Sequence, residues 1–204
     1  IRNLEQRDKV SLVNSITPFI DRMIHEVNRL SEGGERDEVR QERYQYIAEL
    51  TDKINQYNNV LTEWIQMRQG SLSLRIESFP LQGLFDIVAK GKMSFQMQGV
   101  TLEVEPTDAV VKADRILTLF MINTIADNAR KFTPEGGKVT ISAKVSDFVG
   151  ISISDTGKGM DEEQLAHVFD RTYTGGHGFG LLNCKGIIEK YKKVSSLFAG
   201  CQIK

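Results

Sequence analysis

The 204-residue chain lacks several features that mark large classes of proteins. It has only two cysteines, Cys184 and Cys201, which excludes a framework of several disulfides and a cysteine-based zinc motif, so a reducing compartment is expected. No apolar run approaches the ~20 residues that a membrane-spanning helix needs. The formal net charge of −1 provides no overall field that would attract nucleic acid or a membrane surface. We therefore expect a cytoplasmic fragment with no nucleic acid partner and no membrane contact of its own, although its parent protein could be anchored in a membrane.

Prolines are also rare in the first third of the chain, where residues 1–69 contain only Pro18. Two stretches there carry apolar residues at intervals of three and four, which is typical of amphipathic helices, and the glycine-containing segment 31–34 separates them. The first stripe contains Val13, Ile16, Ile20, Met23, Val27 and Leu30, and the second contains Ile47, Leu50, Ile54, Tyr57, Leu61 and Trp64. One helical hairpin has too little apolar surface to close a core, so two copies are expected to form a homodimer with a four-helix bundle. Packing of the hairpin against the rest of the same chain is the alternative.

After Gly70 the pattern changes to short strands that alternate with helices. Strands are predicted at 74–78, 101–105, 110–112, 138–146, 149–155 and 197–203, and helices at 80–91, 114–132, 161–170 and 179–191. The predicted fold is an all-α helical hairpin, as a dimeric four-helix bundle, followed by an α+β sandwich of mixed sheet and helices. The expected domains are 1–70 for the hairpin and 71–204 for the α+β part.

The first of three motifs in the second part lies in the predicted helix 114–132. Asn128 offers a neutral amide oxygen of the kind that Mg²⁺ binds together with phosphate and water oxygens. Lys131, three residues later, lies on the same helix face and can meet phosphate charge. On its own, Asn128 would be better explained as a surface amide.

The second motif follows the predicted strand 149–155. Asp155 at the end of that strand can accept a hydrogen bond from an exocyclic amine, which adenine has and guanine lacks at that position. Gly157 and Gly159 let the backbone approach a flat base without a Cβ clash. An ordinary Asp-Thr-Gly turn is the alternative.

The third motif is a glycine cluster that opens the predicted helix 179–191. Gly176, Gly178 and Gly180 leave backbone N–H groups open to an anion at the N-terminus of that helix. A lone cluster of this kind is a weak signal, and it gains weight from its position after the other two motifs.

In this order, over about residues 72–198, the three motifs resemble the ATP-binding domain of sensor histidine kinases, a Bergerat-type fold shared with gyrase, Hsp90 and MutL. The resemblance implies ATP and Mg²⁺ as cofactors. It implies that Asn128 coordinates the metal, that Lys131 contacts phosphate and that Asp155 reads adenine, while the glycines of the second and third motifs line the nucleotide.

The chain departs from the family pattern at several places, including the following three. Thr124 stands where the family usually has a second asparagine. Residues 168–173 resemble the family's phenylalanine box, and only Thr174 and Gly175 separate them from the glycine cluster at 176–180, where a long loop is usual. The chain also stops before the family's final glycine-bearing strand, so the domain 71–204 is expected to be truncated at its C-terminal end.

The first predicted helix contains a candidate phosphoacceptor. Phosphoryl transfer to imidazole needs an exposed histidine and a neighbouring base, and His25 with Glu26 offers that pair. Phe19, six residues earlier, matches a phenylalanine of the family's H-box. A competing alignment of this helix with the H-box places Pro18 at the position of the phosphorylated histidine. Because proline cannot be phosphorylated, a chain aligned in this way would be an inactive kinase.

The resemblance implies an autophosphorylating protein histidine kinase, in which His25 takes the γ-phosphoryl group of ATP with help from Glu26. The expected partners are a second copy of the chain and a response-regulator receiver domain, whose aspartate then receives the phosphoryl group. A degenerate nucleotide-binding dimerisation module is the first alternative. A conformational ATPase of the same fold is the second, but such relatives have a glutamate base where this chain has Thr124.

Overall fold

The computed structural model describes residues 2–68, 74–169 and 179–194, with side chains at 14–62, 74–169 and 180–191. Two long helices form the N-terminal hairpin, α1 (Arg2–Glu32) and α2 (Asp37–Arg68). The break lies where the sequence predicts it, because Gly33 and Gly34 have φ of 69° and 81°, a left-handed conformation that glycine adopts without steric cost. Pro18 lies inside α1 without ending it. Among the described helices, none combines the length and the apolar character needed to cross a membrane.

The remaining described residues alternate between strands and helices. In chain order they form β1 (Ile76–Pro80), α3 (Gln82–Lys90), α4 (Met93–Gln96), β2 (Thr101–Val104), β3 (Val110–Asp114), α5 (Arg115–Phe132), β4 (Lys138–Val145), β5 (Val149–Asp155), α6 (Glu162–His167) and α7 (Phe179–Val194). β1 pairs antiparallel with β3, whereas β4 pairs in parallel with β2 and antiparallel with β5. A helical hairpin followed by a mixed sheet with helices confirms the predicted fold class. The predicted strand 197–203 lies outside the described residues.

Two helices begin at caps that the local sequence supplies. The Asp114 carboxylate accepts a hydrogen bond from the backbone N–H of Leu117 at 3.1 Å, so it caps α5 as predicted. Asp161 and Gln164 form a reciprocal capping box at the start of α6. α6 ends at His167, earlier than the predicted boundary at residue 170.

The short helix α4 is an element that the sequence pattern does not predict. Its first backbone N–H groups, from Met93 and Ser94, donate to the carboxylate of Glu49 on α2 at 2.8 and 3.0 Å. Because Glu49 is more than 40 residues away in sequence, this cap is visible only once the hairpin has docked.

One buried cluster lies between the strands and the helices of the α+β part and holds this part together. Its fully buried members include Leu81, Leu84, Phe85, Phe95, Val139 and Ile141. Ile122 and Ala126 of α5 pack into the same cluster. α5 therefore rests with one side on the sheet, which fixes the direction of its polar sides.

A second buried cluster joins the hairpin to the α+β part. The Tyr57 ring of α2 lies between Phe19 of α1 and Phe120 of α5, with ring centroids 5.1 Å away in both cases. Cys184 and Ile187 of α7 complete this cluster on the far side. The hairpin thus packs against the rest of its own chain. Because buried contacts join the two parts, the domain boundary at residue 70 stays a prediction.

The predicted apolar stripe of α1 is divided between two sides of the helix in the single chain. Ile16 and Met23 pack against the shared cluster, but Ile20 and Val27 are 43% and 45% exposed. Phe19, which was not placed in the stripe, is buried instead, because α1 is turned toward Tyr57 and α7. The exposed residues of α1 leave an apolar strip on the outside of the hairpin.

Candidate nucleotide-binding site

α5 presents two neighbouring polar faces. Residues one turn apart on a helix share a face, so Thr124, Asn128 and Lys131 form one set, which we call the nucleotide face. Asn123, Asp127 and Arg130 form the adjacent set, which we call the hairpin face. Asn128 is half-buried and Lys131 is exposed.

Asp155 and Gly157 lie at the C-terminal end of the nucleotide face. The exposed Asp155 carboxylate accepts a hydrogen bond from the Gly157 N–H at 2.8 Å, which orients the carboxylate through one of its oxygens. A Cβ at Gly157 would lie 2.5 Å from the backbone carbonyl oxygen of Phe132, the last residue of α5. Only glycine fits there, so the turn after β5 lies directly against the end of α5.

Gly180 lies at the other end of the nucleotide face. It stands in the first turn of α7, and a Cβ there would lie 2.7 Å from the methyl carbon of Thr124. α7 therefore begins directly against α5. Gly176 and Gly178, the other two glycines of this motif, lie outside the described residues.

The described residues of the three motifs thus lie along α5, with Gly180 as the described residue of the third motif. Thr124, Asn128 and Phe132 follow at intervals of four residues, so the ends of the site are about 12 Å apart at ~1.5 Å per residue. Asp155 and Gly157 mark one end, Gly180 marks the other, and Asn128 lies halfway. This arrangement suits an elongated ligand with a base at one end and phosphates at the other.

The donor set around Asn128 fits a magnesium ion that is bound mainly through a nucleotide. Within the described ranges, no group of three or more histidine, cysteine or acidic side chains could hold a metal by itself. One half-buried amide oxygen is compatible with Mg²⁺, which keeps several waters and takes further ligands from substrate phosphates. Gly159, with φ of 70° and no described atom near its Cβ position, extends the open side of the site.

The hairpin face is occupied by contacts within the chain. The buried Lys53 ammonium on α2 donates to the Asn123 amide oxygen at 2.9 Å, and the Asn123 amide donates to Gln56 at 2.8 Å. Arg130 forms an ion pair with Asp127 at 3.1 Å. These contacts were not predicted from the sequence. Lys53 lies within the apolar stripe of α2, and a lysine at such a position indicates a polar docking surface.

Electrostatics on the hairpin face follow from this burial. Burial alone would raise the pKa of Asp127, but the nearby charges of Lys53 and Arg130 outweigh it and hold that pKa below its ordinary value. Burial lowers the pKa of Lys53, and the charges of Asp127 and Glu49 oppose that effect. These charged groups compensate one another within the fold, so this face has a structural role.

His25 and Glu26 are adjacent in sequence but lie in different surroundings. His25 is exposed on α1, as a phosphoacceptor requires, whereas Glu26 is only 4% exposed. The Glu26 carboxylate accepts a hydrogen bond from Arg43 of α2, which also binds Glu35 through two bonds of 2.6 and 2.7 Å. The hydrogen bond from Arg43 lowers the pKa of Glu35, and both carboxylates raise the pKa of Arg43. Glu26 thus helps to hold the two helices of the hairpin together.

Comparison with known proteins agrees with this geometry. Residues 113–200 match the family described as histidine kinase-, DNA gyrase B-, and HSP90-like ATPase. The match begins at the cap of α5 and includes all three motifs. The chain therefore contains an ATPase domain of this family.

Individual relatives narrow the class to sensor histidine kinases. The chain is 31% identical over 136 residues to the sensor protein CreC of Escherichia coli (strain K12), covering 63% of this chain and 29% of CreC. It is 32% identical over 149 residues to the sensor protein DivL of Caulobacter vibrioides, covering 70% of this chain and 19% of DivL. The chain is a homologue of sensor histidine kinases and spans less than a third of these relatives.

A solved structure extends the likeness to the hairpin. The histidine kinase AdeS of Acinetobacter baumannii has a TM-score of 0.51 to this chain, with 20% identity and 87% of each chain covered. At this identity the match supports the fold alone. Because 87% of the chain is more than residues 69–204 alone, the match includes at least part of the helical hairpin.

Proposed function

We propose that the chain is the kinase core of a sensor histidine kinase, which uses Mg²⁺ and ATP to phosphorylate His25. The observation that carries this proposal is the meeting of the three motifs along α5. Asp155 lies at one end of the nucleotide face, Gly180 lies at the other, and Asn128 lies between them. The glycines at both ends are too close to α5 to accept a side chain.

Each residue has a role that its chemistry supports. Asp155 accepts from the exocyclic amine of adenine, and Gly157 gives the base access to the backbone. Lys131 and the N–H groups at Gly176, Gly178 and Gly180 meet the phosphates. Asn128 holds Mg²⁺, which neutralises charge on the phosphates when it is bound.

The reaction transfers the γ-phosphoryl group to an imidazole nitrogen of His25. The new bond from phosphorus to nitrogen forms as the bond from phosphorus to the oxygen of the departing ADP breaks. The imidazole proton passes to a carboxylate base, for which Glu26 is the adjacent candidate. Because Glu26 also binds Arg43, we expect its role as a base to depend on loosening of that ion pair.

The test is transfer of acid-labile label from ATP to the chain. His25→Ala should abolish labelling and leave ATP affinity unchanged, because the exposed His25 lies outside the nucleotide face. His167→Ala, which removes a second exposed histidine on α6, is the matched control and should retain labelling. Persistent label in His25→Ala would place the acceptor elsewhere.

A degenerate kinase is the second candidate, and one observation favours it. The Glu26 carboxylate is buried in an ion pair with Arg43, which is an unfavourable state for a base. Unmutated chain that binds ATP but takes no label would support this candidate and the register with Pro18 in the place of the histidine.

The proposed partners are a second copy of the chain and a receiver domain whose aspartate takes the phosphoryl group. The apolar strip of Ile20, Ile24 and Val27, spaced by four and three residues, supports the dimer because it lies on one exposed face of α1. Light scattering should show a dimer that the double change Ile20→Glu and Ile24→Glu converts to monomer. Asn14→Glu, an exposed change on the side of α1 that carries His25, lies off this strip and should leave the dimer intact. A helical monomer of the unmutated chain would contradict the dimer.

A further inference from the structure

Tyr57 belongs to the hairpin, but its hydroxyl reaches the nucleotide-binding helix. The hydroxyl oxygen lies 3.3 Å from the hydroxyl oxygen of Thr124 on α5. Both residues are buried, with 5% and 4% exposure. The Tyr57 ring is held between Phe19 and Phe120, so its hydroxyl has little freedom to move.

Thr124 differs from Thr118 of the same helix and from Thr133, which follows the last residue of α5. The hydroxyls of Thr118 and Thr133 donate to the backbone carbonyls of Asp114 and Ala129, four residues earlier, at 2.7 and 2.6 Å. This back-bonding is a common alternative for threonine in a helix. The Thr124 hydroxyl instead pairs with Tyr57, so a contact from the hairpin selects its rotamer.

The rotamer of Thr124 matters because α7 begins against it. The methyl carbon of Thr124 lies 2.7 Å from the position that a Cβ would occupy at Gly180. Rotation of Thr124 about its Cα–Cβ bond would move this methyl group and change the space available to Gly180. Burial raises the pKa of Tyr57 far above its ordinary value, so its hydroxyl stays neutral, and either hydroxyl of the pair can act as the donor.

We propose that Tyr57 is a positioning residue for the phosphate end of the nucleotide site, acting through Thr124 on Gly180 at the start of α7. The inference rests on the proposed function, since it assumes that the glycines before α7 bind phosphate. In this proposal, the packing of the hairpin against α5 positions the phosphate end of the ATP site. The base end at Asp155 does not depend on the hairpin.

A double-mutant cycle tests this role in the full chain. Tyr57→Phe and Thr124→Val each remove one hydroxyl with little change of shape. Each should weaken ATP binding by roughly 2- to 10-fold, the effect of one net hydrogen bond, and the double variant should be no weaker than either single one. Affinity for adenosine, which lacks phosphates, should stay within about 2-fold for all three variants. Tyr44→Phe on the exposed side of α2 is the matched control and should bind both ligands like the unmutated chain.

The possible outcomes separate this inference from the proposed function. If the unmutated chain binds ATP and both single variants bind it equally well, the positioning role is wrong and the nucleotide site stands. Equal losses for ATP and adenosine would also overturn it, because they would indicate general loosening of the fold. Additive losses in the double variant would show that the two hydroxyls do not act as a pair. An unmutated chain that binds no adenine ligand would overturn the proposed function, and this inference with it.

Discussion

The two polar faces of α5 differ in what their side chains contact. On the hairpin face, Asn123 binds a buried lysine and Asp127 pairs with Arg130, so hydrogen bonds and ion pairs occupy these groups. On the nucleotide face, Asn128 and Lys131 lie at or near the surface between two glycines that approach the helix closely. One helix therefore carries a structural face and a proposed binding face, which are offset by a single residue in the sequence. Substitutions on the two faces should affect different measurements.

The largest expected effect follows from a change on the nucleotide face. Asn128→Ala should weaken ATP binding in Mg²⁺ by roughly 10- to 100-fold, because it removes the proposed protein ligand of the metal. The free energy of unfolding should change by less than about 0.5 kcal/mol, because the side chain is only half-buried and outside both cores. Calorimetry and urea unfolding measure the two quantities.

Asn123→Ala is the matched control on the hairpin face. It leaves the buried Lys53 ammonium without the amide oxygen that it binds, so it should lower the free energy of unfolding by about 1–3 kcal/mol. ATP affinity of the folded variant should change little. If Asn123→Ala instead reduced ATP affinity as much as Asn128→Ala, the separation of the two faces would be wrong.

An effect on stability of similar size, with a defined pH dependence, is expected at Asp127. Asp127→Asn should reduce the free energy of unfolding by about 1–3 kcal/mol at pH 7, because it breaks a mostly buried ion pair with Arg130. The pKa of Asp127 is lowered in the fold, so its contribution is present above the ordinary value of 3.8 and is lost as pH falls below it. Urea unfolding from pH 7 to pH 3 should show the two proteins converging in acid.

Asp52→Asn provides the control for this pH dependence. Asp52 is exposed on α2 beside Lys53, so its loss should alter stability little at any pH. A constant difference between Asp127→Asn and the unmutated chain down to pH 3 would contradict the lowered pKa.

The sequence predicts those parts of the fold and of the candidate site that depend on local chemistry. The cap at Asp114, the glycine break after α1 and the hairpin of β4 and β5 are all confirmed, because neighbouring residues determine them. Contacts between segments that are distant in the sequence cannot be predicted in this way. The cap of α4 by Glu49 and the ion pair of Glu26 with Arg43 require segments that meet only in the folded chain.

The same distinction explains what the sequence did not predict in the hairpin. Spacing places Ile20 in the apolar stripe of α1, whereas the burial of Phe19 depends on the approach of Tyr57 and α7 from that side. For the nucleotide site, the sequence supplies the residue types and their order. The close contacts of Gly157 and Gly180 with α5 need the packing of β5 and α7 as well.

Titration of the unmutated chain and of Asp155→Asn with ATP and GTP in Mg²⁺ tests the nucleotide site most directly. The unmutated chain should bind ATP and prefer it to GTP. An amide at residue 155 has one acceptor oxygen, which the Gly157 N–H takes, so its amino group would face the adenine amine. Asp155→Asn should therefore weaken ATP binding by roughly 10- to 100-fold and reduce the preference for ATP. Equal affinity of the unmutated chain for ATP and GTP, or an unchanged preference in Asp155→Asn, would contradict the assignment of Asp155 as the base reader.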